Sequence, residues 1–361
     1  MSVSIAGRAP LRAWSGPAST AWPSPGVATV AVAVYGLLAT LVAGIGLDHG
    51  RALGLVAVAM FPLAVLVRQR PLPLALTLIA GGTLLRLTFW GLLGADQIAV
   101  SQAALGVALG GGDPYGVGYA VSTPPGAPFP YGPLALVAYA PGVWVELAAG
   151  VATMALMAWL RAWLALGIYA AAPLIATMTM SGTNDVLPGL LIAAGLLALR
   201  GRPVLGALLL ALAAAIKPYA AAWFPGAVAL GGWPALVTLA GVSAVCWAPL
   251  LAWGPERFLR SLDLARAIHP SADGALDLPQ ARSLAAIPFV AGFFSRSWLA
   301  AVLLGTAVFV IVLFFDRWAS MSYWLAVAPI LLIAGEETIV RLAAQRARMR
   351  PPVREPHGTA R

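Results

Sequence analysis

SGTNDVLPGLLIAAGLLALRGRPVLGALLLALAAAIKPYAAAWFP, residues 181–225, contains two apolar runs, 184–199 and 204–217, joined by the basic turn Arg200-Gly201-Arg202-Pro203 and closed by Lys217-Pro218-Tyr219. Leucine and alanine fill both runs, which favours helix, and the glycines and prolines at their borders punctuate it. Charge is confined to the ends. The same arrangement recurs outward over all 361 residues, 61% of them hydrophobic and 10% charged, with a mean hydropathy of +0.88. Soluble domains carry about 25% charged residues, so a soluble enzyme, a disordered chain and a nucleic-acid-binding domain all fit poorly despite the net charge of +9. The expected fold class is all-α, a polytopic transmembrane helical bundle.

Further apolar runs fall near 27–46, 52–67, 72–94, 132–158, 163–180, 219–232, 235–252, 283–294, 298–315 and 322–340, giving about 10–12 segments by the length a bilayer demands. The runs 204–217, 219–232 and 283–294 are too short to span alone. They read as half-helices, broken or re-entrant, which are tolerated only where they are buried in protein or line a cavity. Residues 1–26 read as a cytoplasmic N-terminal tail, 27–70 as a two-helix addition whose first run is an uncleaved anchor, 71–340 as the main transmembrane unit and 341–361 as a basic cytoplasmic tail lying near anionic headgroups. The single Cys246 excludes an intramolecular disulfide.

Arginine sets the expected sidedness. With a cytoplasmic N-terminus, fourteen arginines fall in inside stretches and six outside, whereas Asp48, Asp96, Asp113, Asp185, Glu256 and Asp263 all fall outside. The positive-inside rule therefore predicts cytoplasmic termini in a multi-pass protein of the cell inner (plasma) membrane, with outer loops at 95–131 and 253–282. Loops of that length more often carry function than merely connect.

The third segment ends and the first outer loop begins within LLRLTFWGLLGADQIAVSQAALGVALGGGDPYG, residues 84–116. Arg86 lies in an apolar run and needs a partner or a wet cavity; Glu146 in the next segment is one candidate, and snorkelling is the other plain reading. Asp96 marks the membrane exit, and 96–109 has the pattern of a helix lying in the interface. The glycines and proline after it put Asp113 and Tyr115 in a turn, where Asp113 also reads as a simple turn former. Phe129, Pro130 and Tyr131 lead back into the next run.

The order of Arg86, Asp96, Val100 and Ala103-Ala104, then Gly111-Gly112-Asp113-Pro114-Tyr115, then Tyr131-Gly132-Pro133-Leu134 and Pro141, resembles the first extracytoplasmic loop of the GT-C superfamily. These are polytopic glycosyltransferases that use polyprenyl-phosphate sugars, and the likeness is to the bacterial polyprenyl-phosphate-mannose-dependent mannosyltransferases and to the catalytic subunit of the first mannosyltransferase of GPI-anchor synthesis. The 181–225 block is similar to the family's second pattern. The resemblance covers roughly 70–225, with the C-terminal third matched by topology alone. It departs in one respect: a loop that often carries two carboxylates has Asp96 followed by Gln97.

The resemblance implies transfer of a sugar, mannose first and a pentose as the alternative, from a polyprenyl-phosphate carrier to a glycolipid or cell-envelope glycan on the extracytoplasmic side. A phosphate leaving group needs no general acid, so one carboxylate suffices as general base, and direct displacement inverts the anomeric centre. Asp96 is the catalytic candidate. Lys217, the chain's only lysine, is the candidate for the leaving phosphate, with Arg86, Arg257, Arg260 and His269 as further donor-phosphate contacts. Asp113, Tyr115, Tyr131, Asn184, Asp185 and Tyr219 are candidates for substrate contact, Asn184 and Asp185 being equally good as the N-cap of the next helix. The three histidines have no metal-ligand spacing, so no metal site is expected and a divalent-ion requirement stays open. Membrane lipids, the lipid-linked sugar and the acceptor are the expected partners, with no nucleic acid. A transporter or flippase also uses broken helices and intramembrane charges, although the C-terminal half holds no second copy of the 86–133 block. A non-catalytic scaffold with the same fold is the third reading.

Overall fold

Proline decides where many of the helices begin, because its missing N–H is one of those a helix start leaves unbonded anyway. A computed structural model describes residues 25–91, 94–268, 278–315 and 320–349. In chain order its elements are α1 (Pro25–Val67), α2 (Pro71–Thr88), α3 (Gln97–Leu109), β1 (Gly118–Tyr119), β2 (Ala127–Pro128), α4 (Leu134–Ala138), α5 (Trp144–Trp159), α6 (Trp163–Ala171), α7 (Pro173–Thr179), α8 (Val186–Ala198), α9 (Pro203–Ile216), α10 (Phe224–Trp247), α11 (Pro249–Trp253), α12 (Pro255–Ile268), α13 (Ala286–Gly292), α14 (Trp298–Phe314) and α15 (Trp324–Met349). Short 3-10 turns precede α10, α13 and α15. The protein is thus essentially all-α, with one two-residue antiparallel ribbon in which Tyr119 pairs with Ala127.

Several runs that read as single segments are cut. The run 132–158 breaks at Gly142, whose φ of 72° suits glycine, and becomes α4 and α5. The run 163–180 breaks at Pro173 into α6 and α7. Inside α10, Gly232 is non-helical at φ 64° and Pro234 follows it, which separates a first limb from a second. The run Pro25–Val67 is helical throughout but not one rod: the Tyr35 hydroxyl lies 3.5 Å from the Ala57 carbonyl, whereas 22 helical residues span about 33 Å. At the other end α15 continues to Met349, into the stretch read as tail.

Among the described residues two stretches, Pro71–Thr88 and Pro218–Trp253, are long and apolar enough to cross a membrane, and several further apolar helices have 10–17 residues. The cuts at proline and glycine are why single helices fall below the roughly 20 residues of a full crossing. Apolar side chains nevertheless point outward, among them Leu66, Trp233, Val245, Leu251 and Phe294, each more than 70% exposed.

Two apolar cores lie side by side, one joining α1, α2, α5 and α6, the other joining α8, α9, α10, α14 and α15. A smaller third core caps one end of the second, built from Ile98 and Ala104 of α3, Tyr115, Phe129, Leu136, Tyr139 and Ile216. The candidate site lies beneath this cap.

Candidate active site

Pro218 stops α9 and pushes the residue before it into extended geometry; Lys217 has φ −128° and ψ 111°. Its ammonium is buried and lies 3.1 Å from Asp185 Oδ1. Asp185 also accepts the Tyr219 hydroxyl on Oδ1 and the Ser322 hydroxyl on Oδ2, both at 2.8 Å. The rings of Tyr131, Tyr323 and Tyr219 surround the ammonium at 4.3, 5.6 and 5.8 Å to their centroids. A buried ion pair is tolerated only when extra hydrogen bonds and favourable π faces replace water. Both are present here.

Asp96 reaches the same place through backbone stitching. The N–H groups of Ala95 and Ile98 donate to the carbonyls of Ser181 and Gly182 at 2.7 and 3.0 Å. Gly182 has φ 95°, and a Cβ there would stand 2.2 Å from the Ala95 carbonyl oxygen, so only glycine lets the two strands of chain approach. Gln97 Oε1 then accepts the Asn184 N–H at 3.1 Å. Asp96 is half-exposed, and its Oδ2 accepts the Thr123 N–H at 2.6 Å. Tyr131 lies within electrostatic reach of Asp96 and Asp185 together. One half-open carboxylate therefore lies on one side of Tyr131, whose ring packs on a buried, charge-balanced lysine.

Asn184 is buried with a carboxamide that makes no hydrogen bond of normal geometry, the Tyr131 hydroxyl being close by. Glu146 of α5, fully buried, accepts the Val186 N–H on Oε2 at 2.7 Å and the Leu187 N–H on Oε1 at 3.1 Å. The Tyr139 hydroxyl lies 3.1 Å from the same carboxylate and 2.9 Å from the Asn184 carbonyl. From Tyr219 an apolar groove of about 290 Å³ runs between Pro218, Ala222, Phe289, Phe309 and Val312.

The structure thus gathers Asp96, Tyr131, Asn184, Asp185, Lys217 and Tyr219. Other candidates lie elsewhere. Arg86 is buried but does not pair with Glu146: it donates to the carbonyls of Tyr169 at 2.9 Å and of Ala170 at 3.0 Å, and to Gly82 within its own helix. The reason is Pro173, which has no N–H for the Tyr169 carbonyl four residues back, so the guanidinium serves the break. Those donors are already committed and do not face Lys217. Asp113 forms a turn with the Tyr115 N–H and an ion pair with Arg257. That pair ties the loop to α12, where Arg260 points to the surface. Tyr115 is packed against Phe129, Trp253 and Phe258, a core role. Burial, with Asp113 adding to it, pushes the neighbouring Tyr119 phenol up to about 12, so it remains a donor, to the Pro114 carbonyl. His269 falls outside the described residues. Among them, no three His, Cys, Asp or Glu side chains form a group that could hold a metal ion.

Sequence reasoning passed over Glu146 as a helix cap, and over Tyr139, Ser322 and Tyr323 altogether. Serine and tyrosine in an apolar run carry no local signal of a partner 137 residues away, as Ser322 has in Asp185.

In comparison with known proteins, the model of glycosyltransferase family 87 matches residues 123–335. No curated protein and no solved structure matches. The matched span contains Tyr131, Asn184, Asp185, Lys217 and Tyr219 and starts after Asp96. It also carries the likeness through the C-terminal third, beyond the reach of the short motifs.

Proposed function

The chain belongs to glycosyltransferase family 87, and from that premise we propose that it transfers a sugar, mannose by the motif likeness, from a polyprenyl-phosphate carrier to a glycolipid or cell-envelope glycan on the extracytoplasmic side. The reading includes a multi-pass protein of the inner membrane with cytoplasmic termini. Outward-facing apolar side chains on α1, α10 and α13 support a lipid surround. The observation that carries the proposal is the juxtaposition around the start of α8: a buried lysine caged by tyrosines, an apolar groove lined by the neighbouring Pro218 and Tyr219, and a half-exposed aspartate stitched to the same backbone.

In this reading the donor's isoprenoid lies along the groove beside Tyr219 and its phosphate meets Lys217. The acceptor hydroxyl attacks the anomeric carbon from the face opposite the phosphate and passes its proton to Asp96. The bond from the anomeric carbon to the phosphate oxygen breaks with its electron pair, leaving polyprenyl phosphate and an inverted glycoside. Lys217 offsets the growing charge in a poorly screened setting, and Asp185 holds the ammonium in place. The Asn184 carboxamide, beside the Tyr131 hydroxyl, has hydrogen-bonding capacity left for a sugar hydroxyl.

Asp96→Asn tests this. It keeps shape but takes no proton at neutral pH, and losing base catalysis lowers rates by about 10²–10⁴-fold. Purified variant should bind the lipid-linked sugar nearly as wild type and transfer it at least about a hundredfold more slowly. Transfer within a few-fold of wild type would remove Asp96 as the base. Sidedness is read separately: cysteine at the exposed Ala120, in a Cys246→Ser background, should react with an impermeant thiol reagent from outside intact cells, and reaction only after lysis would reverse the topology.

A further inference from the structure

The first turn of α8 is held by a residue of another helix. Asp185 occupies the N-cap position, yet its side chain makes no bond to its own helix. Pro188 has no N–H, and the Gly189 N–H donates to the Asp185 carbonyl, so the N–H groups left over are those of Val186 and Leu187. Glu146 takes both. An aspartate at this position ordinarily turns its carboxylate onto such N–H groups. Here it turns the other way, onto Lys217, Tyr219 and Ser322. Tyr139, bridging Glu146 and the Asn184 carbonyl, fixes the backbone on the other side of Asp185.

We propose that Glu146 is a positioning residue of the donor-phosphate pocket: by occupying both free N–H groups of α8 it holds the Asp185 carboxylate on Lys217. The name of the pocket rests on the function proposed above; the Glu146 role can be tested without it. When Glu146 is lost, Asp185 is the nearest carboxylate able to cap α8, and Lys217 loses its acceptor.

Lys217 is the chain's only lysine, so its acylation by a small amine reagent, read by peptide mass, reports the state of this pair in the folded full-length protein. Glu146→Gln keeps one acceptor oxygen and sets an amide NH₂ against the second N–H. Lys217 in this variant should label about tenfold faster than in wild type, the scale of one lost charge-assisted hydrogen bond. Asp185→Asn should label faster too, and the double variant no faster than Asp185→Asn alone, because the two act on one contact. Glu336→Ala, which removes a cap from α6, should label at the wild-type rate, separating positioning from general loosening. Wild-type labelling in Glu146→Gln, additive rates in the double variant, or equal acceleration by Glu336→Ala would each overturn the proposal. If Glu146→Gln does not fold, Glu146→Asp and Tyr139→Phe enter the same assay with the same expected direction. In the transfer assay Glu146→Gln should lower kcat/KM for the donor, because Lys217 both meets the phosphate and offsets its growing charge; an unchanged kcat/KM would count against the proposal. Lys217→Met with an unchanged kcat/KM for the donor would end the phosphate reading, while the labelling result still decides Glu146.

Discussion

Helices α6 and α8 start in the same way and serve different ends. Neither is capped by its own N-cap side chain, and each borrows a buried glutamate from a distant helix: Glu336 of α15 accepts the Ala165 N–H of α6 at 2.9 Å, as Glu146 does for α8. At α6 the N-cap residue is Ala162, which has no group to offer, so the borrowed carboxylate simply fills a gap. At α8 a suitable cap, Asp185, is present and is displaced to Lys217. The same device is structural in one place and, in the other, frees a carboxylate for the site. The surroundings agree with this division. Near α6 the charges next along α15 are surface ones, Glu337 pairing with both Arg200 and Arg341, whereas around α8 they are enclosed.

The sharpest way to test the contrast is Lys217→Met. It leaves Asp185 buried without its cation, which destabilises by about 3–5 kcal/mol, and transfer should fall by about a hundredfold or more. Adding Asp185→Asn should restore much of the melting temperature without restoring transfer. Recovery of transfer with stability would make the pair as structural as the α6 cap. Arg86→Met comes next: two carbonyls at the Pro173 break lose their donor, for about 2–3 kcal/mol, seen as a lower Tm in detergent. Turnover per folded molecule should stay within a few-fold, and a large rise in donor KM would return Arg86 to the phosphate site. Glu336→Ala should lower stability by about 1–2 kcal/mol, the scale of a lost helix cap, with unchanged transfer; a kinetic defect like that of Lys217→Met would erase the distinction between the two helix starts. The smallest effect belongs to Glu337→Gln. Its pairs are exposed, and such pairs contribute about 0–1 kcal/mol, so a chemical-denaturation midpoint should barely move.

Much of this site was legible where a residue's neighbours in sequence determine its setting. Lys217 before Pro218 announces an extended break at a helix end, and Asn184-Asp185 before an apolar run announces a helix start. Asp185 shows how far that goes: the N-cap position was readable, the diversion of its carboxylate was not, because it depends on Glu146 arriving from 40 residues away. Arg86 failed in the opposite direction. Its need for partners was plain from its apolar run, but Glu146, one of the partners considered, is not the one it finds; the carbonyls freed at Pro173 take the guanidinium instead. Among the runs, 204–217, bounded by Pro203 and Pro218, and 298–315, started by the Ser297 cap, nearly kept their limits, while 132–158 and 163–180 hid breaks at Gly142 and Pro173 that local hydropathy does not register.

The brevity of α9 has a consequence for depth. Its 14 residues rise about 21 Å at 1.5 Å each, against a hydrocarbon layer of about 30 Å. In the proposed topology, which puts the Arg200–Arg202 turn at one face of that layer, Lys217 would stop about 9 Å short of the other, and the limb from Pro218 to the bend at Gly232 would retrace the same height. A lipid phosphate ordinarily rides level with the headgroups. To meet this ammonium it must sink below them, or the leaflet must thin above the pocket at a modest cost per ångström, so that immersion itself becomes a criterion by which a carrier lipid is told from the phospholipids around it.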